Sequence, residues 1–155
     1  MILTNDFKEF IALLNENNVK YLIVGGYAVA FHGNPRYTKD LDFWIWANLE
    51  NAERMVKVLN EFGFESFSLT VSDFLNPDNV IQPGREPNRI DLVTAISGVE
   101  FEKAFEHRIE TEIDGVTVAF IALNDLIENK KATGRLQDLA DAEKLEKIKR
   151  VRHGN

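Results

Sequence analysis

The apolar positions change period several times along the chain, and each change marks an element. Phe7, Phe10, Ile11, Leu13 and Leu14 recur at helical spacing and predict an amphipathic helix over residues 5–16, stopped by Asn17-Asn18. Residues 20–24 (KYLIV) form a short run of strand type, cut by Gly25-Gly26. Residues 27–31 are apolar and rich in Ala, which suits a short helix, and Gly33, Asn34 and Pro35 then force a loop. Residues 41–46 are apolar on both faces, the mark of a strand central in a sheet. A helix over residues 48–62 follows, with Leu49, Ala52, Met55, Val56 and Leu59 on one side and Gly63 closing it.

Residues 64–71 alternate like a strand, and residues 76–88 carry three prolines and a glycine, so they predict an irregular segment or a broad hairpin end. Residues 89–95 (RIDLVTA) read as another buried strand. Residues 107–113 and 116–121 flank Asp114-Gly115, a strong hairpin signal. Asn124 or Asp125 can cap a helix running through Lys131. A last helix covers residues 135–150, with Leu136, Leu139, Ala142, Leu145 and Ile148 as its expected buried stripe. The order predicts an α+β (mixed α/β) fold: a mixed sheet with flanking helices and a C-terminal helical pair at about residues 123–150, all in one domain over residues 1–155.

Composition narrows the class. No cysteine is present, which excludes a disulfide framework and a thiolate metal site. No apolar run is long enough to cross a membrane, and the N-terminus lacks the pattern of a signal peptide, so a cytoplasmic location is expected. The net charge of -7 argues against a broad, sequence-independent grip on nucleic acid but allows a local basic pocket. The acid-rich residues 100–112 read as a solvated face.

The chemistry concentrates in VGGYAVAFHGNPRYTKDLDFWI, residues 24–45. Strand alternation turns Leu41, Phe43 and Ile45 one way and Asp40, Asp42 and Trp44 the other. The two aspartates sit about 7 Å apart along the backbone. Two anions together at a buried strand end are costly unless something positive neutralises them. A divalent metal does so, and oxygen-only ligands point to Mg²⁺ or Mn²⁺; an exposed strand start with Lys39 or Arg36 as ion-pair partner does so as well. Gly25-Gly26 lets backbone approach a ligand closely, or simply makes a strand-to-helix turn. Asp91 is the one acid inside residues 89–95; it joins Asp40 and Asp42 if the two strands are neighbours, or else pairs with Arg89 or Arg85. Trp44 either stacks on a base or fills the core, and His32 either reaches the site or is structural.

Taken together, Gly25-Gly26, a gap of 13 residues, Asp40-Leu41-Asp42 and the later strand aspartate Asp91 resemble the polymerase-β-type nucleotidyltransferase superfamily. The wording of residues 24–45, and the tail LIENKKATGRLQDLADAEKL, is most similar to its small bacterial AbiEii toxin-like branch. The resemblance implies transfer of a nucleoside monophosphate from an NTP to a hydroxyl on RNA, protein or a small molecule by a two-metal mechanism. Asp40 and Asp42 would hold both metals, and Asp91 would hold the catalytic one and help take the acceptor's proton. Gly25 and Gly26 would pack against the phosphates, with Gly26 standing where the superfamily usually has Ser.

A triphosphate also needs local cations. Arg36 and Lys39 precede the aspartates, and Lys130 and Arg135 flank the Thr133-Gly134 break, with Asp138 as a supporting residue that orients them. The alternative for this last group is a solvated helix face. The acceptor is expected to be a tRNA end, a protein or a small molecule. A partner or antitoxin chain would supply acceptor binding if the protein belongs to a toxin–antitoxin or phage-defence pair. The alternative is a non-catalytic nucleotide-binding or interaction protein on the same fold.

Overall fold

A computed structural model describes residues 3–35, 37–64, 67–83 and 89–153. Its strands are β1 (Tyr21–Val24), β2 (Leu41–Ile45), β3 (Val80–Ile81), β4 (Ile90–Val93), β5 (Ile109–Ile113) and β6 (Val116–Phe120). Its helices are α1 (Asn5–Glu16), α2 (Gly25–Phe31), α3 (Leu49–Phe62), α4 (Val71–Leu75), α5 (Phe101–Glu106), α6 (Leu123–Thr133) and α7 (Leu136–Arg152). The strands make one mixed sheet in the order β3-β4-β2-β1-β6-β5. β2 lies centrally, antiparallel to β1 and parallel to β4. The expected α+β architecture is the one observed.

Alternation along β2 divides the core. Phe43 meets Phe10 of α1 and Tyr21 of β1 edge-on, at centroid separations of 5.2 and 5.7 Å. Trp44 is turned to the opposite face, where it meets Phe101 of α5 edge-on at 5.1 Å. Each such fully buried side chain stabilises the fold by roughly 1.5–3 kcal/mol. Trp44 is therefore core and cannot reach a base. His32 is buried too, with Nε2 2.7 Å from the Ile121 carbonyl, a structural position.

Three expectations fail in whole or in part, each for a local reason. No strand forms among the described residues of 64–71; α4 begins instead, because Asp73 Oδ2 accepts from the Thr70 backbone N–H at 2.7 Å and fixes its first turn. The acid-rich residues 100–112 do carry a solvated face, with its acids exposed, but within it α5 buries Phe101 and Ala104. α6 starts earlier than predicted, with Ala122 rather than Asn124 or Asp125 at the N-cap. The stripe of α7 holds at Ala142, Leu145 and Ile148, but Leu136 is 87% exposed and Leu139 is exposed too, and Asp138 and Asp141 are buried instead. Rotating the helix this way turns two carboxylates inward onto a lysine of α6.

One polar side chain ties the strand ends to α3. Asn51 is buried; its Oδ1 accepts from the Lys20 N–H at 2.7 Å, and its Nδ2 donates to the carbonyls of Lys20 at 3.1 Å and Trp46 at 2.9 Å. Asn51→Ala is expected to cost about 2–3 kcal/mol, because backbone groups beside the sheet lose their partner without gaining water. Urea denaturation reads this directly, and a loss under about 0.5 kcal/mol would contradict the clamp.

Candidate active site

Register brings the acids together. β2 and β4 are parallel neighbours with Asp42 directly opposite Asp91. Adjacent residues in register project to the same face. The Asp42 carboxyl is hydrogen-bonded to that of Asp91 and feels the charge of Asp40. Asp91 is buried, whereas Asp40, one residue before β2, is about one-third exposed. Arg89 lies across the pair that flanks Asp42: its Nη2 is 3.0 Å from Asp40 Oδ2 and its Nε 3.2 Å from Asp91 Oδ1.

Gly25 explains how the Asp42 carboxylate fits. A Cβ at Gly25 would stand 2.0 Å from Asp42 Oδ2, and the residue has φ +70°, so both space and backbone conformation demand glycine. The close approach that the sequence suggested is thus made first to Asp42. Gly26 is buried in α2, where a Cβ would meet Thr38 at 3.0 Å, and it does not line the cleft described next.

Asp42 opens into a cleft of about 410 Å³. The far wall is α6 and the start of α7, contributing Asn129, Lys130, Thr133, Arg135 and Asp138. Lys130 is buried, with Nζ 2.8 Å from Asp138 Oδ1 and 3.5 Å from Asp141 Oδ2. Asp138 Oδ2 also accepts from Thr133 Oγ1 at 2.8 Å and from Arg135 Nε at 2.9 Å. Burial alone would raise the pKa of Asp138. The hydrogen bonds from Lys130 and Thr133 and the charges of Lys130 and Arg135 outweigh it and hold the carboxyl below its usual range. The result is a cation fixed in place and facing the acids across the cleft.

The predicted phosphate cations divide. Lys130 and Arg135 line the cleft; Lys39 is exposed and does not. Arg36 lies outside the described residues. Residues that sequence reasoning passed over include Asp78, Ser97 and Asn129. Ser97 is placed by its neighbour Gly98, where a Cβ would come within 2.6 Å of Ala132 Cβ, so this loop lies against α6. Asn129 Nδ2 donates to the Ser97 carbonyl at 3.1 Å. The Ser-Gly pair after a buried strand was the available signal for a close approach of this kind.

The donor chemistry suits a hard divalent cation: oxygen ligands only, clustered and under mutual repulsion. Among the described residues, however, no three acids or histidines stand as a ready metal-holding group. Burial, then the charge of Asp91 and the hydrogen bond to it, and then Asp40, push the Asp42 carboxyl up to about 7, against the opposing pull of Lys130.

Several comparisons bear on this geometry. A family model described as "Nucleotidyl transferase of unknown function (DUF2204)" matches residues 3–154. No curated protein matches the sequence. Among solved structures, a candidate nucleotidyltransferase from Thermotoga maritima superposes with a TM-score of 0.58 at 15% identity, covering 91% of this chain and 88% of that one. The lincosamide antibiotic adenylyltransferase LnuA, bound to lincomycin, gives 0.57 at 13% identity, covering 95% and 98%. ANT(2'')-Ia in complex with adenylyl-2''-tobramycin gives 0.53 at 16%, covering 96% and 97%. At such identities the likeness is one of fold.

The raised pKa of Asp42 has a definite sign. Between its ordinary value of 3.8 and about 7 the folded protein keeps a proton that the unfolded chain has released. Its contribution to stability is therefore full below the ordinary value, falls as pH rises, and is gone above about 7. In EDTA, the melting temperature is expected to fall as pH rises from 5 to 7.5, with a much smaller fall in Asp42→Asn. Parallel pH profiles for the two proteins would contradict the carboxylate cluster.

Proposed function

The chain belongs to the DUF2204 family of nucleotidyl transferases, and from that premise we propose that it moves a nucleoside monophosphate from an NTP to a hydroxyl acceptor in the cleft between Asp42 and Lys130. The observation that carries this reading is the in-register pair Asp42–Asp91, of which Asp42 lines one wall of a cleft whose other wall presents a fixed lysine. Asp40, Asp42 and Asp91 would hold Mg²⁺ or Mn²⁺, which would supply an activated acceptor oxygen and a stabilised leaving phosphate. Lys130 and Arg135 neutralise the triphosphate, and Asp138 keeps both aimed at it. The acceptor oxygen bonds to the α-phosphorus, the bond between that phosphorus and the α–β bridging oxygen breaks, and pyrophosphate leaves. The hydroxyl proton passes to the Asp91 carboxylate.

Two neighbours in fold are named for antibiotic adenylyl chemistry on small molecules. That favours ATP as donor and a small hydroxylated acceptor. An RNA or protein acceptor and a partner or antitoxin chain, as in the AbiEii toxin-like branch, rest instead on the Lys130–Gly134-Arg135–Asp138 run of the tail.

Thermal unfolding with each of the four NTPs, with and without Mg²⁺, tests the proposal. One nucleotide is expected to stabilise the protein by about 2.7 kcal/mol at a hundredfold excess over Kd. The gain should require the metal and vanish in Asp42→Asn. No shift with any NTP would overturn the reading; a shift without subsequent transfer of α-labelled nucleotide to any acceptor would favour a non-catalytic binding protein.

Arg135 separates phosphate binding from folding, because its side chain is 77% exposed. Arg135→Gln is expected to weaken NTP binding about tenfold, as loss of one charge-assisted contact, while changing stability by under about 0.5 kcal/mol. Nucleotide titration of the variant checks the first value and urea denaturation the second; unchanged affinity would remove Arg135 from the phosphate site.

A further inference from the structure

Arg89 occupies a position that a phosphate ligand or a bland surface cation would not take. Its guanidinium reaches two of the three acids, Asp40 at 3.0 Å and Asp91 at 3.2 Å, on either side of Asp42 in the β2–β4 register. Its backbone is fixed: the Arg89 carbonyl accepts from the Leu41 N–H at 3.0 Å, the first link between the β2 and β4 edges. Its side chain is not locked in the core, being one-third exposed. The guanidinium thus stands at the solvent edge of the cluster, beside strands paired through the backbone.

Electrostatics requires something there. Three carboxylates share the strand ends, and Lys130 is committed across the cleft to Asp138 and Asp141. A guanidinium that bridges two carboxylates satisfies oxygens which a divalent cation also needs. The same oxygen cannot serve both at full strength.

We propose that Arg89 is a built-in counter-ion that competes with the divalent cation: it holds the carboxylate cluster closed in the metal-free protein and is displaced when the metal enters. The proposal rests on the metal-dependent reading above. It assigns Arg89 a positioning role, acting on when the site opens rather than on the reacting atoms. Two ligands that exclude one another are coupled reciprocally. Removing the internal one must therefore tighten the external one. A merely structural arginine predicts the reverse, since its loss would loosen the cluster and weaken any metal bound there.

The test is Mn²⁺ binding without nucleotide, followed by electron paramagnetic resonance of the free ion, in the full chain, Arg89→Met and Asp42→Asn. Wild type is expected to bind Mn²⁺, Asp42→Asn to lose that binding, and Arg89→Met to bind about tenfold more tightly than wild type. Thermal melting gives a second readout: Arg89→Met should melt below wild type in EDTA and regain the difference in saturating Mn²⁺. If Arg89→Met is folded but binds Mn²⁺ no more tightly than wild type, the counter-ion role is overturned while the metal site stands. If wild type and Arg89→Met both fail to bind Mn²⁺, the metal reading falls and this inference with it. Should Arg89→Met melt too low to titrate, Arg89→Lys decides. It keeps the charge but loses the planar fork, so tighter Mn²⁺ binding than wild type supports displacement and equal or weaker binding overturns it.

Discussion

Mutual repulsion among Asp40, Asp42 and Asp91 is the constraint around which this end of the molecule is organised. The sheet puts Asp42 and Asp91 opposite one another on parallel strands. The turn into α2 gives up its side chain at Gly25 to leave room for the Asp42 carboxylate. Such an arrangement is unfavourable by itself. It persists because Asp42, buried beside Asp91, keeps its proton up to about pH 7 and because positive charge stands on two sides: Arg89 within the cluster and Lys130 across the cleft.

The rotation of the C-terminal helices follows a second charge arrangement, that of Asp138 and Asp141 on Lys130. A hydrophobic stripe alone would have turned Leu136 and Leu139 inward. Instead α7 buries Asp138 and Asp141 against Lys130 and leaves those leucines at the surface. Lys130 has a long, flexible stem with large rotamer freedom. Two carboxylates and the Asp138 bond to Thr133 remove that freedom before any anion arrives. Preorganisation of a cation in a partly dry cleft strengthens its effect on a phosphate.

Much of this was legible in the chain because it rests on local periodicity. α1 falls at the predicted residues, α3 begins after its Asn48 cap and ends at Gly63, and the Asp114-Gly115 hairpin joins β5 to β6. Alternation placed Asp42 and Trp44 on one face of β2. That Asp91 lies beside Asp42 was not legible, since nothing local states which distant strand is a neighbour; the motif resemblance supplied it. The phase of α7 was misjudged because Leu136 and Leu139 are apolar, and hydrophobic patterning gives no weight to a buried ion pair. α5 was hidden by its exposed acids. The cleft wall at Ser97 and Asn129 depends on a loop packing against α6, which leaves only the Ser97-Gly98 pair as a trace.

The central claim is that the three aspartates form a divalent-cation site serving nucleotide transfer. Anomalous diffraction from crystals soaked in MnCl₂ with a non-hydrolysable ATP analogue tests it most directly. The account predicts a Mn²⁺ peak within bonding distance of both Asp42 and Asp91, with the analogue's phosphates between that peak and Lys130. Analogue bound in the cleft with no Mn²⁺ at the aspartates, and Arg89 still bridging Asp40 and Asp91, would contradict it.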